Sequence, residues 1–193
     1  MMVRLLSVLP GIVGIICVLL LLGSLVGVGL GEERSTVPMV PCLDDDLDGC
    51  LVGMTPEIQP PMIFILLDIQ LTFEWEKYEE SWIGVVPSSS AENCPPHDNG
   101  LTDCTAEDFT FVAGGDSITN GKFTWDMGTE DYRFVSGGRE GTNLDDQLTY
   151  ISTEVSFNPI IEIMLGLVSF LLLVGAGEMA FPLKKLWNKF RDA

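Results

Sequence analysis

The side chains best placed to do chemistry lie between two cysteines, in Cys42-Leu43-Asp44-Asp45-Asp46-Leu47-Asp48-Gly49-Cys50. Asp44, Asp46 and Asp48 alternate ahead of Gly49. That is the D-x-D-x-D-G opening of a calcium loop, in which alternate carboxylates converge on one centre and glycine permits the sharp turn. A second cluster, Cys94-Pro95-Pro96-His97-Asp98-Asn99-Gly100-Leu101-Thr102-Asp103-Cys104, sets the single histidine beside two carboxylates. A metal fits that grouping, and so does a plain polar turn, because Asp-Asn-Gly is turn chemistry in its own right.

Calcium at Asp44, Asp46 and Asp48 is the one cofactor the residues name. The run resembles calcium loops of the EF-hand type over six residues, Asp44 to Gly49, and that likeness carries no fold with it. The bidentate glutamate that closes such a loop should stand where Thr55 is, and Glu57 is out of register. A solvated acidic turn pinched by a disulfide is the competing reading. Catalysis finds less. No nucleophile motif surrounds any serine, and no P-loop or dinucleotide fingerprint occurs. In a segment this rich in acids a pair of carboxylates arises by chance, so a glycosidase-like pair has no special support.

Cys42, Cys50, Cys94 and Cys104 are an even set in one segment, which reads as disulfides in an oxidising compartment. Of the three connectivities, the sequential one is expected: Cys42 with Cys50, Cys94 with Cys104. Such short loops are expected to shape turns more than to hold a domain together. The spacings are not those of a zinc site. The fifth cysteine, Cys17, sits in an apolar run and reads as a buried thiol.

The elements that must position these groups follow from the charge distribution. Of 28 acidic residues, 25 lie between 32 and 158 with only five basic ones, a net charge of −20 for that stretch. Yet the mean hydropathy of the whole chain is +0.32. The two values are reconciled by apolar ends: Leu5 to Leu30 is free of charge, and Ile160 to Phe181 carries only Glu162 and Glu178. Each exceeds what an apolar core of about 30 Å requires at about 1.5 Å per residue. The first is too long for a typical signal peptide, although Val28-Gly29-Leu30-Gly31 could still serve as a cleavage site. The domains expected are an N-terminal transmembrane helix or uncleaved anchor (1–31), an acidic extracytoplasmic domain (32–158) with a loop tether at 32–62, a C-terminal transmembrane helix (159–182) and a basic amphipathic tail (183–193). In the tail, Lys184, Lys185, Trp187, Lys189 and Arg191 are expected at the membrane interface, the bases on its cytoplasmic side. Gly23, Gly27 and Gly31 recur at four-residue spacing, a face through which another helix or a second copy could approach. Glu162 and Glu178 read as carboxylates reaching the interface. Lipid is thus an expected partner, and nucleic acid is not, since a domain at −20 repels phosphate.

Within the acidic segment, Leu67, Ile69, Leu71, Phe73 and Trp75 alternate with polar residues, a half-buried strand. Ser81 to Val86 is expected as its hairpin partner. Asn120-Gly121 predicts a two-residue hairpin joining Ser117–Thr119 to Lys122–Trp125. Tyr132 to Val135 should be a strand broken by Gly137-Gly138, and Ile151, Thr153, Val155 and Phe157 alternate up to Asn158-Pro159. Phe73, Trp75, Trp125, Tyr132 and Phe134 are expected in the core, with Trp82 the aromatic exposed for a ligand. Six to eight short strands give a membrane-anchored all-β fold: a small antiparallel β-sandwich between two transmembrane helices. Three functions remain open: a non-catalytic binding or structural protein of the cell envelope, an accessory subunit of a larger membrane complex, and a membrane-bound hydrolase dependent on a metal or on carboxylates.

Overall fold

The computed structural model describes residues 8–43 and 50–180. In chain order its elements are α1 (Val8–Val26), β1 (Val28–Pro38), β2 (Val52–Met54), β3 (Leu67–Trp75), β4 (Ser81–Pro87), β5 (Leu101–Thr102), β6 (Ala113–Gly114), β7 (Lys122–Met127), β8 (Tyr132–Gly138), β9 (Asp146–Phe157) and α2 (Pro159–Ala180). Two compact units result, one holding the helices and the other spanning Gly29–Val155.

Both helices are apolar on every side, and among the described residues they are the two long and apolar enough to cross a membrane. The start of α2 is set by its sequence. Asn158 accepts the Ile160 N–H on its Oδ1 at 3.0 Å, and Pro159 takes the first position, where a missing N–H costs nothing. The end of α1 is set by Gly27, whose φ of +76° is the left-handed conformation that closes helices. Gly11 faces Ala176, Gly14 faces Leu173 and Gly166 faces Leu21. Near the end of α1, Ser24 donates to Glu162 at 2.7 Å. These pairings run in opposite directions along the two helices, so the helices are antiparallel.

The expected Gly23-Gly27-Gly31 face does not exist, because Gly27 and Gly31 lie beyond the helix and both have positive φ. Gly11 and Gly14 are the glycines of α1 that approach α2. Glu162, expected to reach for the interface, is engaged by Ser24.

The β unit consists of a four-stranded sheet in the order β1-β9-β3-β7 and a five-stranded sheet in the order β5-β2-β8-β4-β6, mostly antiparallel. Phe73, Trp75, Phe123 and Trp125 from the first sheet share one core with Ile83, Val85 and Tyr132 from the second. The rings interlock: Phe73 stacks on Phe123 at 4.9 Å, and Trp125 meets Tyr132 edge-on at 4.9 Å. A second cluster covers the other face of the five-stranded sheet, where Val52, Trp82, Val86 and Val135 meet Cys94 and Phe109 from the loops.

This second cluster explains the main departure from expectation. Ser81 to Val86 is not the hairpin partner of β3, because all six residues are buried and the strand needs cover on both faces. It pairs instead with β8 and β6 at the middle of the second sheet. Trp82 is therefore buried, not exposed, and packs edge-on against Phe111 at 5.5 Å. Opposite it, Gly137 keeps the space open: a Cβ there would fall 3.0 Å from the indole. Hence β8 runs through Gly137 and Gly138 and is not broken by them.

Asn120-Gly121 does turn the chain, with Asn120 Oδ1 accepting the Lys122 N–H and Gly121 at φ +66°. It does not join two strands, since β7 pairs with β3 and Ser117–Thr119 lies outside any strand. Nor is the stretch 32–62 only a tether. Its first residues complete β1 in the four-stranded sheet, and β2 joins the five-stranded one.

Candidate functional site

The structure pairs Cys42 with Cys50 and Cys94 with Cys104. Cys42 is anchored by a two-way backbone exchange with Thr142, at 3.0 and 2.9 Å. The expected calcium ligands Asp44, Asp46 and Asp48 lie outside the described residues, as do Lys184, Lys185, Trp187, Lys189 and Arg191. The Cys94–Cys104 bridge does more than shape a turn: Cys94 is buried in the second core cluster and fastens the covering loop to the sheet.

In that loop His97 Nε2 lies 3.0 Å from Asp103 Oδ1, with both side chains largely in solvent. Asn99 caps the turn by accepting the Leu101 N–H at 3.1 Å. Among the described residues no three His, Cys, Asp or Glu side chains are gathered as metal ligands.

The outer face of the four-stranded sheet is polar and cross-linked. Gln70 donates to Asp126 at 2.8 Å, Thr72 meets Thr124 at 3.3 Å, and Lys122 pairs with Glu74 at 3.2 Å. Tyr150 donates to Glu76 at 2.9 Å, and that bond, rather than burial, is the larger reason its phenol is raised above the ordinary range. Arg34 lies over the same ring at 5.2 Å. A hollow of about 290 Å³ on this face is lined by Glu32, Thr72, Glu74, Lys122, Tyr150 and Ser152. Elsewhere, Glu57 accepts from Ser88 at 2.5 Å and Gln59 at 2.6 Å, with Arg133 at 3.7 Å. These donors hold its carboxyl below the usual range, Ser88 contributing most.

A larger hollow lies within the β unit. It has a volume of about 440 Å³, within the range of about 300–1,000 Å³ found for small-molecule sites. Its floor is apolar and buried: Met39, Phe73 and Ile83, with Phe134 and Ile151 partly so. Its rim is polar and exposed at Thr36, Thr55 and Asn99. Among the described residues no charged side chain lines it.

One polar atom in the floor has no partner. Thr149 of β9 is fully buried, and its Oγ1 makes no hydrogen bond. Its neighbours are satisfied: Ser136 Oγ donates to the Pro38 carbonyl at 3.0 Å, and Thr55 Oγ1 accepts the Phe134 N–H at 2.9 Å. Gln147, two residues before Thr149 on the same face of β9, is also fully buried. It is satisfied, accepting the Lys77 N–H and donating to the Leu148 carbonyl. Sequence reasoning missed this site, but a signal was present. Gln147 and Thr149 are in phase with Ile151, so alternation puts two polar side chains on an inward face.

No protein-family model matches the chain, and no curated protein does. Among solved structures, a chain from Desmodium yellow mottle tymovirus is 8% identical, with 69% of this chain and 89% of that one covered, at a TM-score of 0.27. A chain from turnip yellow mosaic virus is likewise 8% identical, over 69% and 95%, at 0.21. At such TM-scores the likeness carries no argument about fold or function.

Proposed function

We propose that this chain is a non-catalytic membrane protein that presents an acidic, disulfide-bonded β-sandwich on the extracytoplasmic side. The observation that carries this reading is the outer surface of the helix pair. Leu9, Leu22, Ile163 and Phe170 are each more than half exposed on helices that pack only one flank against each other. In water such a surface is costly, and in lipid it is not. An antiparallel pair returns the chain to the side it started from, so the segment between the helices lies on one side. Four basic residues between 183 and 191 argue that the ends are cytoplasmic, and the disulfides suit an oxidising exterior. The two sheets sharing one aromatic core support the sandwich.

The test is alkaline extraction of membranes bearing the full chain, followed by protease treatment of sealed, right-side-out vesicles. Retention in the pellet, with cleavage confined to 29–155, is the expected result. Release at alkaline pH, or titration of four thiols in that segment without reductant, overturns the proposal. Stoichiometric recovery of a fixed membrane partner in mild detergent would shift the reading to an accessory subunit.

A further inference from the structure

We propose that the inter-sheet cavity binds a neutral, single-chain lipophile bearing one terminal oxygen, such as a long-chain alcohol or aldehyde. The inference rests on the β unit alone and holds whether or not the helices span a membrane.

Three observations select this class. The floor, built from Met39, Phe73, Ile83, Phe134 and Ile151, presents hydrocarbon, aromatic faces and a thioether. An empty space of about 440 Å³ against such groups forfeits their dispersion contacts, and an apolar occupant restores them. Met39 adds adaptability, since a thioether side chain conforms to irregular ligands.

The unpaired hydroxyl supplies the polar requirement. A buried Thr149 Oγ1 without a partner carries the full cost of desolvation. Removing that cost takes one oxygen brought in by the ligand, which accepts the Oγ1 proton. Among the described residues no group lies within hydrogen-bond reach of it.

Charge excludes the anionic relatives. Among the described residues the lining holds no Lys, Arg or His to pair a carboxylate or phosphate, and the surrounding domain is strongly negative. A fatty acid would bring its charge into an apolar space without a counterion. The polar rim at Thr36, Thr55 and Asn99 is open to water.

The experiment uses the full chain in lipid nanodiscs, photolabelled with a diazirine-bearing decanol and, separately, with the matching decane. Labelled positions are mapped by peptide mass spectrometry. The expected result is saturable decanol labelling of the peptides carrying Met54, Phe134 and Ile151, competed by unlabelled decanol and not by decanoate. One neutral hydrogen bond corresponds to about a fivefold preference for decanol over decane, and Thr149→Val should bring that preference to parity while cavity labelling persists. Ile151→Trp, which fills the space, should abolish cavity labelling in protein that retains both disulfides and its β-sheet circular dichroism. Labelling confined to α1 and α2, or rising without saturation, overturns the site. A preference unchanged in Thr149→Val, or competition by decanoate equal to that of decanol, overturns the ligand class.

Discussion

β3 and β9 lie side by side in one sheet and face the same core, yet they use that face differently. β3 sends Ile69, Phe73 and Trp75 inward, all buried, and its outward residues pair with β7 across the ladder. β9 sends Gln147 and Thr149 inward, both completely buried, before Ile151. Where β3 contributes large rings the interior is filled. Where β9 contributes the small Thr149, a cavity remains, lined by Thr149 and Ile151. The same geometry thus yields a filled interior on one strand and an open cavity beside its neighbour. Side-chain size and hydrogen-bond satisfaction make the difference.

The largest effect is expected from Trp75→Ala, which empties a site that is 2% exposed. It should cost about 3–5 kcal/mol, measured by urea unfolding of the full chain followed through near-ultraviolet circular dichroism. A loss below about 1 kcal/mol would mean that β3 does not carry the core.

Thr149→Val should act in the opposite sense. The hydroxyl has no partner to lose, so its removal should stabilise the ligand-free protein by about 1–2 kcal/mol in the same assay. A destabilisation of that size would show that Oγ1 is bonded in solution and would remove the contrast between the strands. Gln147→Leu sharpens it further. That side chain is buried and satisfied, so its loss strands the Lys77 N–H and should cost about 1 kcal/mol. Two polar groups on one face of one strand would then differ in sign.

On the outer face the expected effects are smaller. A double-mutant cycle of Thr72→Ala with Thr124→Ala should yield a coupling of about 0.2–1 kcal/mol, the usual worth of a cross-strand pair.

The smallest effect concerns pH. Glu57 has a carboxyl held below its ordinary value of 4.5, first by Ser88 and Gln59 and then by Arg133. A depressed carboxylate stabilises the fold above its unfolded value and loses that contribution as pH falls through the folded one. Glu57→Gln should therefore flatten the decline in stability below about pH 4.5, with little change in slope near neutrality. An unchanged acid limb would mean that these donors do not act on Glu57 in solution.

Much of this could be read without coordinates wherever a local rule was enough. β3 followed from strict alternation, the start of α2 from Asn158-Pro159, and the two apolar helices from length and composition. Pairing was not local. Ser81–Val86 is as good a hairpin partner by distance along the chain as by pattern. Only the second cluster, built around Phe109 and Cys94, shows why it needed cover on both faces. Asn120-Gly121 specified a turn but not the strands on either side of it. The cavity was least legible, because it depends on which side chains from β1, β2, β3, β8 and β9 fail to meet.

From the sequence alone came the partition of the molecule: charge and hydropathy separate apolar ends from an acidic middle, and an even cysteine count marks that middle for disulfides. These are properties of composition and of neighbours within a few residues. Tertiary structure decided which strands pair, that Trp82 is core, that Glu162 bonds Ser24, and that Thr149 stands buried without a partner. Those outcomes depend on contacts between residues far apart in the chain, where burial and hydrogen-bond satisfaction select among alternatives that local pattern leaves equal.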